Sequence, residues 1–206
     1  MTVAEYVTTF ANRQVKDFDP QTGISNPAAT AYALRVDYDE EENITHKLNR
    51  LLQDTQVAEI EALVFGMWNS NVATDGDSRI LVNALVEAKE QLSSLKALFI
   101  GDIVYEESEI SWIEQSNISP VLEAYPQLEV LQVRGGSGLQ FTPVRHYQLK
   151  KLIIQTGGLS SKTISQIWAL HLPALEHLEL WLGSDNYGGD SGVYTLRPLL
   201  DIQLFC

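Results

Sequence analysis

Gly189-Asp190-Ser191-Gly192 sets a serine in a glycine-rich turn, the setting in which serine hydrolases present a nucleophilic hydroxyl to a histidine base. Val193 stands where that setting needs a further glycine. The chain is also short for a double-barrel protease and has no all-β pattern, so the stretch reads as a surface loop. Lys162-Thr163 closes a stretch from Gly157 that partly resembles a phosphate loop. Such a loop needs glycine at its first and sixth positions, and Thr156 and Ser161 occupy them. Glu106, Glu107 and Glu109 are dense enough for paired-carboxylate chemistry, which also needs a cleft with carboxylates at set separations. Together with Asp102 and Asp185, Glu106 and Glu107 could gather oxygen ligands for Ca²⁺ or Mg²⁺, though no loop has EF-hand spacing. His46, His146, His171 and His177 lack metal-helix spacing, and the single cysteine is Cys206. The expectation is a protein with no catalytic residue, no metal ligand and no cofactor.

The elements that position these residues come from a repeat. An apolar residue, two others, an apolar residue, one other and an apolar residue recur as Ile60-Leu63-Phe65, Leu95-Leu98-Ile100, Leu128-Leu131-Val133, Leu149-Leu152-Ile154 and Leu175-Leu178-Leu180. The starts are 35, 33, 21 and 26 residues apart, and the shorter spacings fall in the range of leucine-rich repeats. The spacers have helical periodicity. Ile80, Leu81, Ala84, Leu85, Ala88 and Leu92 predict a helix within 77–95, capped by Asp77 or Ser78. A shorter helix is expected over 118–125, with Ser119 as cap and Pro120 in the first turn. Further helices are expected over 160–170 and 194–200. Pro126 and Pro173 stop their helices and point the chain into the next strand.

These features predict an α/β solenoid of leucine-rich repeats, a right-handed horseshoe with parallel strands on the concave face and helices on the convex face. Residues 60–206 make up about five repeats. Residues 1–59 read as an N-terminal cap, with a strand over 32–38, an acidic turn over 37–42 and a helix over 45–52. Another repeat is due near residue 201, but Asp201 to Cys206 offers no polar cap, which predicts self-association through an open apolar end.

Charge bounds the partners. Lys and Arg number 14 against 27 Asp and Glu, a formal net charge of −13. Phosphate backbones and anionic membranes need a basic footprint, so neither nucleic acid nor a membrane is expected as partner. No basic start, signal-peptide run or apolar span is present, and a cytoplasmic location is expected.

Several blocks go beyond leucine spacing: Gly101-Asp102-Ile103 with Glu106-Glu107 and Glu109-Ile110-Ser111-Trp112-Ile113, then Ser119 to Pro126, Arg134-Gly135-Gly136, Gly157-Gly158-Leu159, Leu175 to Gly183 and Tyr187-Gly188-Gly189. On these the chain resembles a bacterial leucine-rich-repeat family of uncharacterised function. The resemblance implies a cytoplasmic repeat protein. Genes of that family often lie near those of radical-SAM-type enzymes, so the resemblance also implies a protein partner, for which an enzyme encoded nearby is a candidate.

Alternation along a strand sends the residues between the apolar positions to the concave face. They form three columns. The first is Ala62, Ala97, Val130, Lys151 and His177; the second Val64, Phe99, Gln132, Ile153 and Glu179; the third Gly66, Gly101, Arg134, Gln155 and Trp181. Repeats one and two offer small or apolar residues, whereas repeats three to five offer polar and aromatic ones. Gln132, Arg134, Lys151, Gln155, His177, Glu179 and Trp181 are therefore the expected partner-binding residues, with Trp181 and Arg134 as anchors. Trp68, Asp102, Gly135, Gly157 and Asp185 are expected on the rim just past the strands. Trp112 and Ile113 are expected to anchor the 106–109 loop to the core. The functional expectation is a non-enzymatic scaffold that binds a protein or peptide. The alternative is an accessory protein that binds a small ligand or a divalent metal through the acidic rim.

Overall fold

The computed structural model describes residues 3–37, 42–70 and 76–199. Its frame is one eight-stranded sheet in sequence order: β1 (Thr9–Phe10), β2 (Arg13–Asp17), β3 (Thr30–Leu34), β4 (Ala62–Phe65), β5 (Ala97–Ile100), β6 (Val130–Arg134), β7 (Lys151–Gln155) and β8 (His177–Leu180). From β2 onward every neighbouring pair is parallel, and β1 returns antiparallel to β2. The sheet curls into a horseshoe-like half-barrel backed by α1 (Ile44–Leu51), α2 (Arg79–Glu87), α3 (Ser119–Ala124), α4 (Ser161–Trp168) and the short α5 (Val193–Leu196).

The apolar repeat positions build the layer between sheet and helices. Leu63, Leu98, Leu131 and Leu152 are fully buried in consecutive strands, against Leu48, Leu81, Leu122 and Ile164 from the helices. Each such side chain stabilises the fold by about 1.5–3 kcal/mol relative to exposure. Burial weakens at the far end, where Leu175, Leu178, Leu180 and Leu182 are only half-buried. Asp201 to Cys206, and Leu200 of the helix expected over 194–200, lie outside the described residues.

The stack begins earlier than the leucine spacing indicates. Strand β3 pairs with β4 in the same register as the later repeats, Ala31 beside Ala62 and Tyr32 beside Leu63, and β2 extends the sheet by one more parallel strand. Residues 1–59 therefore supply three strands to one continuous sheet. The strand expected over 32–38 ends at Leu34, and Tyr38 to Glu41 of the acidic turn lie outside the described residues. The capping element proper is the β1–β2 hairpin, whose turn residues Ala11 and Asn12 both have positive φ, 47° and 62°. A two-residue turn of that kind matches the twist of the strands it joins.

Helix starts follow the local chemistry with small shifts. Ser160 caps α4 by accepting from the Thr163 N–H at 3.1 Å. Ser78 and Ser119 do not cap. The Ser78 hydroxyl lies 2.9 Å from that of Ser116, and Ser119 donates to the Thr142 carbonyl, so both tie neighbouring turns together. Among the described residues no helix is long and apolar enough to cross a membrane.

Candidate functional site

The register aligns Ala62, Ala97, Val130, Lys151 and His177 in one row and Val64, Phe99, Gln132, Ile153 and Glu179 in another. Along both rows burial changes sharply. From β3 to β5 the concave positions are Ala31, Ala33, Ala62, Val64, Ala97 and Phe99, all buried in a second, smaller apolar cluster with Phe10. Residues 3–10 cover them. Phe10 packs on Phe99 with ring centroids 5.8 Å apart, the Tyr105 N–H donates to the Val3 carbonyl at 2.8 Å, and Tyr6 donates its hydroxyl proton to Glu107 at 2.5 Å. Small side chains on these strands leave the room that the strap fills.

Asp102 is the polar node beneath that strap. Fully buried, its carboxylate accepts from Arg35 at 2.6 Å, from Arg134 at 3.3 Å and from the Val7 N–H at 3.3 Å. The two guanidiniums reach it from opposite sides of Gly66 and Gly101. Gly66 has no side chain to obstruct Arg35, whose Cγ would lie 2.7 Å from a Cβ there. Arg35 stacks on the Tyr6 ring at 4.2 Å, and Arg134 on Phe99 at 5.0 Å. Burial pulls the Arg134 guanidinium below its usual value while Asp102 opposes the shift. For Arg35, burial also pulls downward, but the bonds to Asp102 and Asp17 prevail and its proton is held more tightly than usual.

This node corrects three of the expected binding residues. Arg134 is 3% exposed and engages Asp102, Gln155 and the Ile103 carbonyl, so it presents nothing to a partner. Gln155 and Gln132 are buried at 9% and 8%, and they bond to each other at 3.3 Å. The physical cause is a chain of hydrogen bonds that draws all three inward, linking Gln132 to Gln155, Gln155 to Arg134 and Arg134 to the buried Asp102. Asp102 and Trp68 are buried rather than on the rim. Asp102 is neutralised by arginines and Glu107 is held by Tyr6, so the four-carboxylate cation set is not assembled. Among the described residues no group of three or more His, Cys, Asp or Glu is placed to hold a metal ion.

Lys151, His177, Glu179 and Trp181 remain accessible. Glu179 accepts from the Trp181 indole at 2.7 Å and lies 3.4 Å from His177. These residues stand at the open end of the concave face. Beside them a trough of about 840 Å³ runs between the β1–β2 turn, including Phe10 and Arg13, and the floor made by Val130, Gln132, Lys151 and Ile153.

One edge of the trough was missed by the column reading. Glu61, Lys96, Glu129, Lys150 and Glu176 each stand one residue before the first column, so their signs alternate from strand to strand. Glu61 pairs with Arg13 and with Lys96, and Lys150 pairs with Glu129 at 2.8 Å. The Lys96 bond draws the Glu61 carboxyl below its ordinary value, with Arg13 adding to the effect. Reading the repeat one position further back shows this ladder from sequence. Like-sign neighbours would repel, and alternation holds the strand starts in register.

No family model and no curated protein matches the chain. Among solved structures it is similar to a protein from Bacteroides fragilis, at 35% identity and a TM-score of 0.74, over 81% of this chain and 47% of that one. The chain thus spans about half the length of that relative.

Proposed function

We propose that the chain is a leucine-rich-repeat scaffold without catalytic activity, and that it binds an extended segment of a cytoplasmic protein in the open trough of its concave face. The observation that carries this reading is the break along the concave rows: an apolar half sealed by residues 3–10, then a half that exposes Lys151, His177 and Glu179 beside Ile153 and Val130. Lys151 is exposed and has no ion pair among the described residues. The fitting segment therefore offers an apolar side chain to Val130 and Ile153 and a carboxylate to Lys151. An enzyme encoded nearby, as the family resemblance implies, is one source of such a segment.

The test is site-specific photocrosslinking in cells from Ile153 and, separately, from His177, followed by peptide mapping. Both positions should join one partner segment carrying Asp or Glu next to an apolar residue. The Lys151→Glu/Ile153→Asp variant, shown to be folded, should lose the product. Undiminished crosslinking by that variant would overturn the trough as the site.

A further inference from the structure

The loops that leave the far ends of the strands form a second surface of different chemistry. Residues 101–118, 135–140, 156–160 and 181–192 follow β5 to β8 and contain no lysine, arginine or histidine. They carry seven carboxylates, of which three are engaged within the fold. Asp102 is held by arginines, Glu107 by Tyr6, and Asp190 accepts from the Ser161 hydroxyl at 2.9 Å. Glu106, Glu109, Glu114 and Asp185 have no ion pair among the described residues.

Exposed aromatic rings stand among them. Tyr105 is 50% exposed, Trp112 57% and Tyr187 55%, while the other tryptophans are buried or half-buried. Trp112 departs from the sequence expectation: its neighbour Ile113 anchors the loop, fully buried, and leaves the indole outside. Trp112 and Tyr187 belong to one continuous edge, and Tyr105 stands in the same loop as Trp112. Ser111 lies against Gly157, whose carbonyl accepts from the Ser184 N–H at 2.9 Å, and the Tyr187 backbone lies against Gly158. Bare glycine backbone thus separates Trp112 from Tyr187.

A single exposed ring is ordinary. Three rings among unpaired carboxylates, in loops that carry no cation of their own, make a surface complementary to lysine and arginine. Their charged heads stack on aromatic faces and pair with carboxylates, and a guanidinium does both at once. The net charge of −13 draws such a partner toward the protein. We propose that this rim docks a basic protein segment whose Lys and Arg side chains lie on Tyr105, Trp112 and Tyr187 and pair with Glu106, Glu109 and Glu114. This surface is separate from the trough and does not depend on it.

A fluorescein-labelled oligo-arginine peptide, followed by anisotropy at physiological salt, tests the rim. The folded Trp112→Ala/Tyr187→Ala variant should bind about tenfold more weakly, as two lost cation–π contacts imply. Glu106→Gln/Glu109→Gln/Glu114→Gln should weaken binding by a similar factor. The matched control, Glu87→Gln/Glu90→Gln/Glu123→Gln, changes net charge equally at exposed positions away from the rim and should lose less than about twofold at this salt. Equal losses from the two triple variants would mean attraction by overall charge alone and would overturn the proposal. So would unchanged binding by the aromatic variant, or no binding by the wild type.

Discussion

Arg134 donates to Asp102 at 3.3 Å across 32 residues of sequence, with both side chains withdrawn from solvent. An arginine and an aspartate that read as surface recognition groups are thus a structural pair in the floor of the concave face. Arg35 completes the set from the other side, so the aspartate stands between two guanidiniums.

Removing the shared carboxylate leaves two cations in a buried place without their counter-charge. Asp102→Ala is expected to destabilise the fold by about 3–5 kcal/mol, the range for breaking a buried ion pair from one side. Urea unfolding with an unchanged slope checks this. A loss under about 1 kcal/mol would show that water reaches both arginines.

Gly101 is expected to be equally intolerant for a different reason. Its φ is +93°, and a Cβ there would lie 2.5 Å from the backbone oxygen of Arg134. Backbone on the neighbouring strand cannot step aside as a flexible side chain would. Gly101→Ala combines left-handed strain with that clash, and should cost about 2 kcal/mol or more in thermal or urea unfolding. Gly192→Ala is the contrast, since nothing lies within 4 Å of a Cβ at that position.

The strands were legible because burial forces a period. Leucine at fixed offsets is read without knowing what lies opposite, and the rows it implies are the rows observed for β4 to β8. Strand β3 was legible as a strand but not as a repeat, because Tyr32 and Leu34 carry its core face while alanines fill the other, so the leucine pattern is diluted. Exposure was much less legible than position. Whether Arg134 faces solvent depends on Asp102, Phe99 and a strap about 130 residues earlier in the chain, and no local pattern encodes that. Trp112 misled in the opposite direction, since an aromatic next to a buried isoleucine is ordinarily core.

Two glutamates give opposite pH signatures. Burial raises the Glu107 carboxyl above its ordinary 4.5, with Tyr6 and the Val104 N–H opposing the shift. A carboxyl whose folded value is raised adds stability that is complete below the unfolded value and lost as pH rises through the folded one. The stability of wild type relative to Glu107→Gln should therefore grow as pH falls through that window. Glu61 is shifted downward by Lys96 and Arg13, so its contribution is present above the ordinary value and lost as pH falls through the folded one. Wild type should lose stability relative to Glu61→Gln on acidification. Chemical unfolding of all three proteins from pH 7 to pH 3 checks both signs, and parallel curves would refute the assignment.

The strap makes a prediction that separates its two possible roles. Phe10 is 6% exposed and lies on Phe99, inside a cluster otherwise made of alanines and valines. If residues 3–10 are part of the folded unit, Phe10→Ala should cost about 3–5 kcal/mol of global stability, the usual range for a buried phenylalanine. If the strap opens independently of the sheet, global stability should hold while amide protection falls only around Val7 and Tyr105, the amides bonded along it. Hydrogen exchange read residue by residue, alongside urea unfolding, distinguishes these outcomes. The first is expected. The strap supplies the largest side chain in its cluster apart from Phe99, and its Val7 amide is bonded to the same buried carboxylate that Arg35 and Arg134 hold in place.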